Sequence, residues 1–302
     1  MLPARWESIT VDDWLRDGDG RISEEPLGGK EKFWIIGPDG HEYLFKYARC
    51  DEDGTNVRGE DWAEWAVHQL AELIGVPTAV VLPGTHDGRR GSLSRAVWHV
   101  RERLIHGNEL LARQDSAYDA GAQRENPGYT VEAVHGALDG VAAPVACEAP
   151  VMTGFDAWAG YLMLDAWVAG RDRHHLNWAV IDHGGSLRLA PSFDHGNALG
   201  FQEPEHQVVG LASDDARLAR WSRRGASFHF AGRPPLVEVA NSALRLAGGG
   251  VEAHWRSKIA EVTVDDITAV FDQVPDALMS DQGRTFRIKL LTHNQERIVD
   301  DR

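Results

Sequence analysis

The stretch from residue 170 to residue 200 reads G-R-D-R-H-H-L-N-W-A-V-I-D-H-G-G-S-L-R-L-A-P-S-F-D-H-G-N-A-L-G. It follows a strongly apolar run over 155–170 that predicts a buried helix. Asp172 and Asn177 come next on a loop. The runs W-A-V-I-D and L-R-L-A-P predict a short hairpin turned by H-G-G-S, and Asp194 lies at its end. The spacing therefore predicts two carboxylates and one amide near each other at the end of a buried helix.

These three side chains suit the transfer of a phosphoryl group. A carboxylate on a rigid loop can accept a proton from an attacking hydroxyl, and Asp172 is the candidate general base. Asn177 and Asp194 offer the hard oxygen ligands that Mg²⁺ prefers. The pattern D-x-x-x-x-N, followed by an Asp after a hairpin, matches the catalytic and metal loops of kinases. Because Asp172 and Asn177 alone could simply cap a helix and shape a turn, the prediction also depends on the residues described next.

The first hundred residues supply the other half of the predicted site. Two runs rich in aromatic and β-branched residues flank G-P-D-G and predict a hairpin over 33–48, whose second strand carries Lys46. A lone lysine in a half-buried strand needs an anion, and the phosphates of ATP would serve. Residues 60–74 have helical spacing, and Glu64 on that helix is the predicted partner of Lys46.

Upstream of this hairpin lies the Gly-rich stretch P-L-G-G-K-E-K. Gly28 and Gly29, with Lys32, could fold over the phosphates and leave backbone N–H groups free to bind them. The string G-G-K is common in turns, so this element supports the interpretation only together with Lys46.

The pattern of elements predicts an α+β chain with a two-lobed, protein-kinase-like fold. Residues 1–24 are predicted to be an N-terminal extension. Residues 25–100 are predicted to form a small β-rich N-lobe with the Gly-rich loop and the ATP-binding lysine, including strands over 78–83 and 91–100. Residues 101–302 are predicted to form a larger helical C-lobe with the catalytic and metal loops.

Composition narrows the function classes. Lys and Arg total 31 against 46 Asp and Glu, so the formal charge is −15, which argues against direct binding to nucleic acid and weakly against docking on anionic membranes. No apolar stretch has the length of a membrane span, and the first residues have no signal-peptide core, so a cytoplasmic location is predicted. The two cysteines allow neither a disulfide framework nor a zinc motif.

The lobe order and spacing resemble the HipA-like family of bacterial Ser/Thr kinases, which shares its two-lobed architecture with the phosphatidylinositol 3-/4-kinases. The family's general base lies in D-x-H-x-x-N, matched here by Asp172, His174 and Asn177. Its metal-binding Asp follows the hairpin, matched by Asp194 in S-F-D-H-G-N, and its strand lysine corresponds to Lys46.

The resemblance extends over residues 24 to about 295. A helix Glu six residues before a Leu-Ala pair matches Glu64, and the element G-G-x-x-K-F matches Gly28, Gly29, Lys32 and Phe33. It implies that ATP and Mg²⁺ are used, that a protein is phosphorylated on Ser or Thr, and that a separate antitoxin partner exists.

The sequence departs from the family in three places. Its Gly-rich loop has no Ser-Gly pair of the kind usual in the family, so regulation by phosphorylation of that loop is not expected. HipA itself carries about a hundred residues before its Gly-rich loop, and only about 27 precede it here. Arg171 stands before the predicted base, where a small polar residue is usual.

Two alternatives to a protein kinase remain. The strings D-R-H-H-L-N and F-D-H-G-N-A-L-G are also similar to lipid-kinase motifs, so the acceptor could be a lipid or a small molecule. A pseudokinase that binds nucleotide as an interaction module would show the loss of Lys46, Asp172 or Asp194, and none is lost.

Other residues near the motif receive structural roles. His174 is expected to be a buried, hydrogen-bonded organiser of the loop, and His195 to be structural rather than a second base. Zinc binding by His174 and His175 is disfavoured because adjacent histidines point in different directions and no third ligand has the usual spacing. The segment 112–128, with little apolar content, is predicted to be a mobile excursion, either a substrate-binding loop or a solvated insertion.

Overall fold

The computed structural model describes residues 5–17, 23–24, 31–50 and 58–300. Within these residues, a six-stranded sheet forms most of a small lobe, and a three-stranded sheet with most of the helices forms a larger one. The α+β class predicted from the sequence is confirmed.

The strands and helices follow one another as expected for two lobes. The strands are β1 (Ile9–Thr10), β2 (Ser23–Glu24), β3 (Lys32–Ile36), β4 (Glu42–Tyr47), β5 (Val81–His86), β6 (Arg89–Arg95), β7 (Arg103–His106), β8 (Ala179–His183) and β9 (Ser186–Leu189). The helices are α1 (Val11–Asp17), α2 (Glu60–Leu73), α3 (Gly107–Gln114), α4 (Val131–Ala137), α5 (Gly154–Trp167), α6 (Glu205–Ser213), α7 (Asp215–Arg223), α8 (Leu236–Ala247), α9 (Gly249–Ala260), α10 (Val264–Phe271) and α11 (Asp281–Asp300).

The small-lobe sheet has the strand order β1-β5-β6-β4-β3-β2. Its β3–β4 hairpin is the one predicted over 33–48, with Phe33 opposite Phe45. Gly40 closes the turn with a φ of 77°, a conformation that costs little without a Cβ. Phe33 and Phe45 belong to a buried aromatic cluster. Because side chains alternate along a strand, Lys46 lies on the opposite face from Phe45.

The β5–β6 hairpin turns more tightly than the sequence analysis predicts. The expected strands over 78–83 and 91–100 leave seven residues for the connection, whereas Asp87 and Gly88 alone make the turn. Both take a positive φ, 50° and 71°, which matches the twist of paired strands. The residues assigned to a loop therefore pair across the ladder instead.

The described residues before residue 25, which are 5–17 and 23–24, belong to the small lobe. β1 pairs in parallel with β5, and β2 pairs antiparallel with β3. Val11 at the start of α1 is fully buried in the aromatic cluster. The residues described within the predicted extension 1–24 therefore complete the sheet rather than project from it.

Helix α2 confirms the helix predicted over 60–74, but it is buried on almost all sides rather than on one face. It packs against β5 and β6 in the small lobe and against α10 in the large lobe. The Arg287 guanidinium of α11 also lies 4.6 Å from the centre of the Trp62 ring. A helix between two lobes has little solvent-facing surface. The spacing of its apolar residues predicts only one buried face, because it carries no information on contacts with both lobes.

Backbone hydrogen bonds join the two lobes. The Ser192 N–H donates to the Pro77 carbonyl at 2.8 Å, and the Ala79 N–H donates to the Ser192 carbonyl at 2.8 Å. Ala79 leads into β5 of the small lobe, whereas Ser192 follows β9 in the large lobe. These bonds hold the chain just before Asp194 against the small lobe.

Helix α5 forms the centre of the large lobe. It confirms the buried helix predicted over 155–170, although it ends at Trp167. Thr153 and Asp156 form a capping box at its start. Nearly all of its residues are buried, and it packs chiefly against α8. The loop that follows it is therefore anchored on the most deeply buried helix of the lobe.

The predicted hairpin of β8 and β9 is confirmed, with Gly184 and Gly185 in its turn. The helical signal predicted from residue 101 onward is wrong at its start, because β7 pairs antiparallel with β8. Arg103–His106 is too short for its apolar spacing to distinguish a strand from a helix. Hydrogen bonding to β8 makes it a strand.

The sequence has helical patterns near 212–222, 235–247, 264–272 and 283–297, and these correspond to α7, α8, α10 and α11. Helices α6 and α9 were not predicted. Helix α9 begins within three consecutive glycines, residues 248–250, a composition typical of loops, yet it buries Val251, Trp255 and Ile259 on one face. Burial of that face outweighs the weak helix propensity of its start.

The segment 112–128 is mostly exposed, as expected of a solvated insertion, but two of its residues hold it by burial and hydrogen bonds. Tyr118 and Asn126 are buried, and the Asn126 amide donates to the Asp119 and Ala122 carbonyls at 2.8 and 3.0 Å. Polar side chains satisfy the backbone here, so order does not need apolar content. No helix among the described residues is long and apolar enough to cross a membrane.

Candidate active site

Three residues from distant parts of the chain meet at the face of β4 that looks toward α2. The Lys46 ammonium lies 3.0 Å from the Glu64 carboxylate and 2.9 Å from the Asp194 carboxylate. Lys46 is 7% exposed and Glu64 3% exposed. The strand, the helix and the loop after β9 thus bring the predicted pair of Lys46 and Glu64 together with Asp194.

Opposing effects act on the charge of Lys46. Burial alone would lower its pKa, but the two carboxylates outweigh burial and raise the pKa above its usual range. Lys46 is therefore a fixed cation. The second oxygen of Glu64 accepts a hydrogen bond from the Ser92 hydroxyl at 2.9 Å. Ser92, which the sequence analysis does not identify, lies opposite Lys46 on β6 and orients its partner.

Asp194 has an unusual backbone conformation. Its φ is 62°, in the left-handed region that residues with a Cβ seldom adopt. The lobe-joining bonds of Ser192 hold the preceding backbone, and the contact with Lys46 holds the side chain. The surrounding structure thus stabilises a conformation that turns the carboxylate toward the small lobe.

The loop after α5 is closed by its own hydrogen bonds. The Asp172 carbonyl accepts from the His174 N–H at 2.8 Å and from the Asn177 side-chain amide at 2.7 Å. The His174 ring accepts from the Leu176 N–H at 3.1 Å. His174 is half-buried rather than buried, and its hydrogen bond lies within the loop, as expected of an organiser.

A buried ion pair connects this loop to helix α5. The Arg173 guanidinium binds both oxygens of Asp165, at 2.7 and 2.8 Å, and also donates to the Asn177 carbonyl at 2.8 Å. Asp165 projects from α5, so the pair ties the loop to the central helix. Neither residue is identified by the sequence analysis, because a charged residue in an apolar helix has no partner visible in the sequence.

Replacing Asp165 with Asn should destabilise the protein by about 3–5 kcal/mol, because Arg173 would remain buried without a counter-charge. Urea unfolding followed by circular dichroism measures the change. Asp265→Asn, at an exposed position of α10, is the matched control and should change stability by less than about 1 kcal/mol. Equal stability of the two variants would show that the pair does not anchor the loop.

His195 stands beside this pair. It is 8% exposed, and burial, together with the nearby Arg173, lowers its pKa well below the usual value. The ring therefore stays neutral. Its Nδ1 lies 3.9 Å from the Asp165 carboxylate, which is compatible with the expected structural role.

Asp172 borders a cavity of about 240 Å³. Arg171, Glu203, Trp221 and Phe228 also line it. The Arg171 guanidinium lies 4.3 Å from the centre of the Phe228 ring. The cavity therefore combines charged and aromatic walls beside the predicted base.

The remaining predicted site residues are only partly described. Gly28 and Gly29 lie outside the described residues. Lys32 begins β3 directly opposite Lys46, so the two side chains share one face of the sheet. The structure thus groups Lys32, Lys46, Glu64 and Asp194 at the sheet, and Asp172, His174 and Asn177 in one loop.

The donors predicted for Mg²⁺ fit a hard cation. Asn177 uses its amide nitrogen on the Asp172 carbonyl, which leaves the side-chain oxygen as its ligand atom. The Asp194 side chain is 37% exposed, so its carboxylate is accessible while it contacts Lys46. An amide oxygen and a carboxylate are ligands of the type that Mg²⁺ prefers.

Comparison with solved structures identifies proteins with a similar fold. No protein-family model and no curated protein matches the chain. The Helicobacter pylori proinflammatory kinase CtkA matches with a TM-score of 0.73 at 16% identity, over 97% of this chain and 96% of that chain.

Two further structures match more distantly. The Golgi casein kinase with Mn/ADP bound has a TM-score of 0.49 at 12% identity, over 96% of this chain and 75% of that one. HipA of Shewanella oneidensis MR-1, in its complex with HipB and operator DNA, has a TM-score of 0.45 at 11% identity, over 96% and 72%.

The chain has the two-lobed fold of protein kinases, as predicted from its sequence. Similarity at this level of identity shows the fold alone. Membership of the HipA-like family therefore remains a prediction that depends on the sequence motifs.

Proposed function

We propose that the chain is an ATP- and Mg²⁺-dependent phosphotransferase that phosphorylates Ser or Thr residues of a protein. The cluster of Lys46, Glu64 and Asp194 carries this proposal. The ammonium of Lys46 is buried between two carboxylates, and their attraction has to offset the free-energy cost of removing these charges from water. A triphosphate would bind this cation through its oxygens.

In this proposal the two lobes have different functions. Residues 25–100 bind the nucleotide, with Gly28, Gly29 and Lys32 beside the phosphates and Glu64 orienting Lys46. Residues 101–302 carry the catalytic and metal loops.

Each charged residue acts on a different part of the substrates. Lys46 binds phosphate oxygens and neutralises part of their charge. Asn177 and Asp194 would hold Mg²⁺, which supplies further charge neutralisation at the phosphates when bound. His174 keeps the loop in shape through its bond with Leu176.

Asp172 acts on the acceptor. It accepts a hydrogen bond from the acceptor hydroxyl and orients its oxygen toward the γ-phosphorus. A bond forms between that oxygen and the γ-phosphorus while the bond from the γ-phosphorus to the β–γ bridging oxygen breaks. ADP leaves with the electron pair of that bond, and the hydroxyl proton passes to Asp172.

The alternatives differ in their consequences. A pseudokinase has no need for Asp172, Lys46 and Asp194 together, and all three are present. A lipid or small-molecule acceptor would use the same phosphoryl chemistry. A separate antitoxin partner follows from the HipA-like resemblance and stays a prediction.

A radiolabel experiment tests the function directly. The purified chain is incubated with γ-³²P-labelled ATP, Mg²⁺ and a bacterial lysate, and the products are separated into protein and small-molecule fractions. Label on Ser or Thr of a protein, absent with Asp172→Asn, is the expected result. Label confined to small molecules or lipids would overturn the proposal that the substrate is a protein. The absence of any transfer would overturn the proposal that the chain is a phosphotransferase.

Asp194→Asn tests the metal assignment. A neutral amide loses the charge that holds the cation at the phosphates, so affinity for Mg-ATP should fall more than about tenfold, or 1.4 kcal/mol. Calorimetry with and without Mg²⁺ measures the change, and Asp265→Asn serves as the control. Unchanged affinity for Mg-ATP would count against Asp194 as a ligand.

A further inference from the structure

His229 lies beside the predicted base although 57 residues separate them in the sequence. Its Nε2 is 2.9 Å from the Asp172 Oδ1, and its Nδ1 is 2.5 Å from the Gln123 carbonyl oxygen. The residue is 5% exposed. Both ring nitrogens are therefore fixed by partners within the protein.

The two partners determine which protons the ring must carry. A backbone carbonyl only accepts hydrogen bonds, and so does an ionised carboxylate. A neutral imidazole has a single N–H and would leave one nitrogen lone pair facing an oxygen lone pair. An imidazolium donates to both, so the geometry favours the protonated ring next to an ionised Asp172.

The surroundings leave Asp172 as the counter-charge. Nearby charged and titratable side chains are His174, His175, Arg124, Arg171, Glu203 and the ion pair of Glu125 with Arg233. Glu203 lines the same cavity and accepts a hydrogen bond from the Trp221 indole N–H at 3.2 Å. Burial lowers the pKa of His174 and also that of His175, to about 4, so both rings stay neutral. The arginines disfavour another cation, whereas Glu125 is paired with Arg233. Asp172 is therefore the carboxylate that contacts the His229 ring directly.

The 112–128 segment sets the position of His229. The Glu125 N–H donates to the Phe228 carbonyl at 2.9 Å, and the Asn126 N–H donates to the His229 carbonyl at 3.3 Å. With the Gln123 carbonyl on its Nδ1, His229 is held by the backbone on one side and by its ring on the other. The segment thus has a structural link to the base.

We propose that His229 is a positioning residue for phosphoryl transfer: it donates from Nε2 to the Asp172 Oδ1 and leaves the Oδ2 to bind the acceptor hydroxyl. This inference rests on the proposed function of Asp172. Both residues line the cavity through which the acceptor would arrive. Without His229, the half-exposed carboxylate could rotate and would present either oxygen in many orientations.

Two substitutions separate positioning from packing. In His229→Gln the amide nitrogen reaches about as far as Nε2 and can still donate to Asp172. In His229→Asn it reaches about as far as Nδ1 and can donate only to the Gln123 carbonyl. A residue that merely anchors the backbone would tolerate Asn at least as well as Gln.

The kinetic result expected is a split between the two variants. His229→Asn should lower kcat about 10- to 100-fold, the range for losing a hydrogen bond to a charged group, with the KM for ATP unchanged. His229→Gln should stay within about fivefold of the wild type, and so should His206→Gln at an exposed control position. Equal loss in the Gln and Asn variants, or a loss confined to KM, would overturn the proposal.

A spectroscopic measurement does not depend on turnover. Nitrogen-15 NMR of the histidine rings near neutral pH should show both nitrogens of His229 protonated in the wild type and only one in Asp172→Asn. A singly protonated His229 in the wild type would overturn the proposal. Absence of any phosphoryl transfer would overturn the proposed function instead, while the NMR result would still show whether His229 holds Asp172.

Discussion

Asp172→Asn is expected to lower kcat by about 10² to 10⁴, the usual contribution of general-base assistance. The amide keeps the size of the side chain but cannot take the hydroxyl proton. Affinity for ATP should change by less than about tenfold, or 1.4 kcal/mol, because Lys46, Asn177 and Asp194 are unaltered. Steady-state kinetics and a nucleotide Kd measured on the same preparation give both quantities.

Asn is itself a good turn residue, which makes this variant informative. If Asp172 only shapes the loop, Asn should preserve its structure and its turnover. Near-normal kcat would therefore leave the proposed mechanism without its base. Asp265→Asn, at an exposed position, controls for effects of the substitution on handling and concentration.

Lys46→Met should lower turnover by several orders of magnitude, because methionine fills the space but brings no charge to the phosphates. Glu64→Gln should have a smaller effect, since Lys46 keeps its contact with Asp194. Single-turnover assays of both variants measure the difference, and circular dichroism checks that each one folds. A larger loss for Glu64→Gln than for Lys46→Met would show that Lys46 is not the residue that binds phosphate.

Lys46→Arg gives a second comparison at the same position. Arginine keeps the charge, but its wider guanidinium does not fit the space between Glu64 and Asp194 as a compact ammonium does. Turnover between the values for the wild type and Lys46→Met would separate the requirement for charge from that for geometry.

The parts of the site that could be predicted from the sequence are those with local signals. The G-P-D-G turn between two aromatic runs predicts the hairpin that carries Lys46, and helical spacing predicts the position of Glu64. The loop with Asp172 and Asn177 follows a run too apolar to be anything but a buried helix. In each case the signal lies within about fifteen residues of the side chain it predicts.

The parts that could not be predicted depend on contacts between distant segments. Nothing in the sequence near His229 indicates that it contacts Asp172. The distant 112–128 segment, for which the sequence predicts a mobile excursion, holds His229 in position. The role of Ser92 can be inferred only once β4 is known to pair with β6, because that pairing brings Ser92 close to Glu64. The Arg173 and Asp165 pair is visible only once α5 and its following loop are packed together.

The backbone bonds between Ser192 and the start of β5 have a mechanical consequence. They tie the approach to Asp194 to the small lobe, and Lys46 ties its side chain there as well. Asp172, in contrast, is fastened to α5 and His229 in the large lobe. A rigid rotation of one lobe on the other would therefore change the distance between the Asp172 and Asp194 carboxylates.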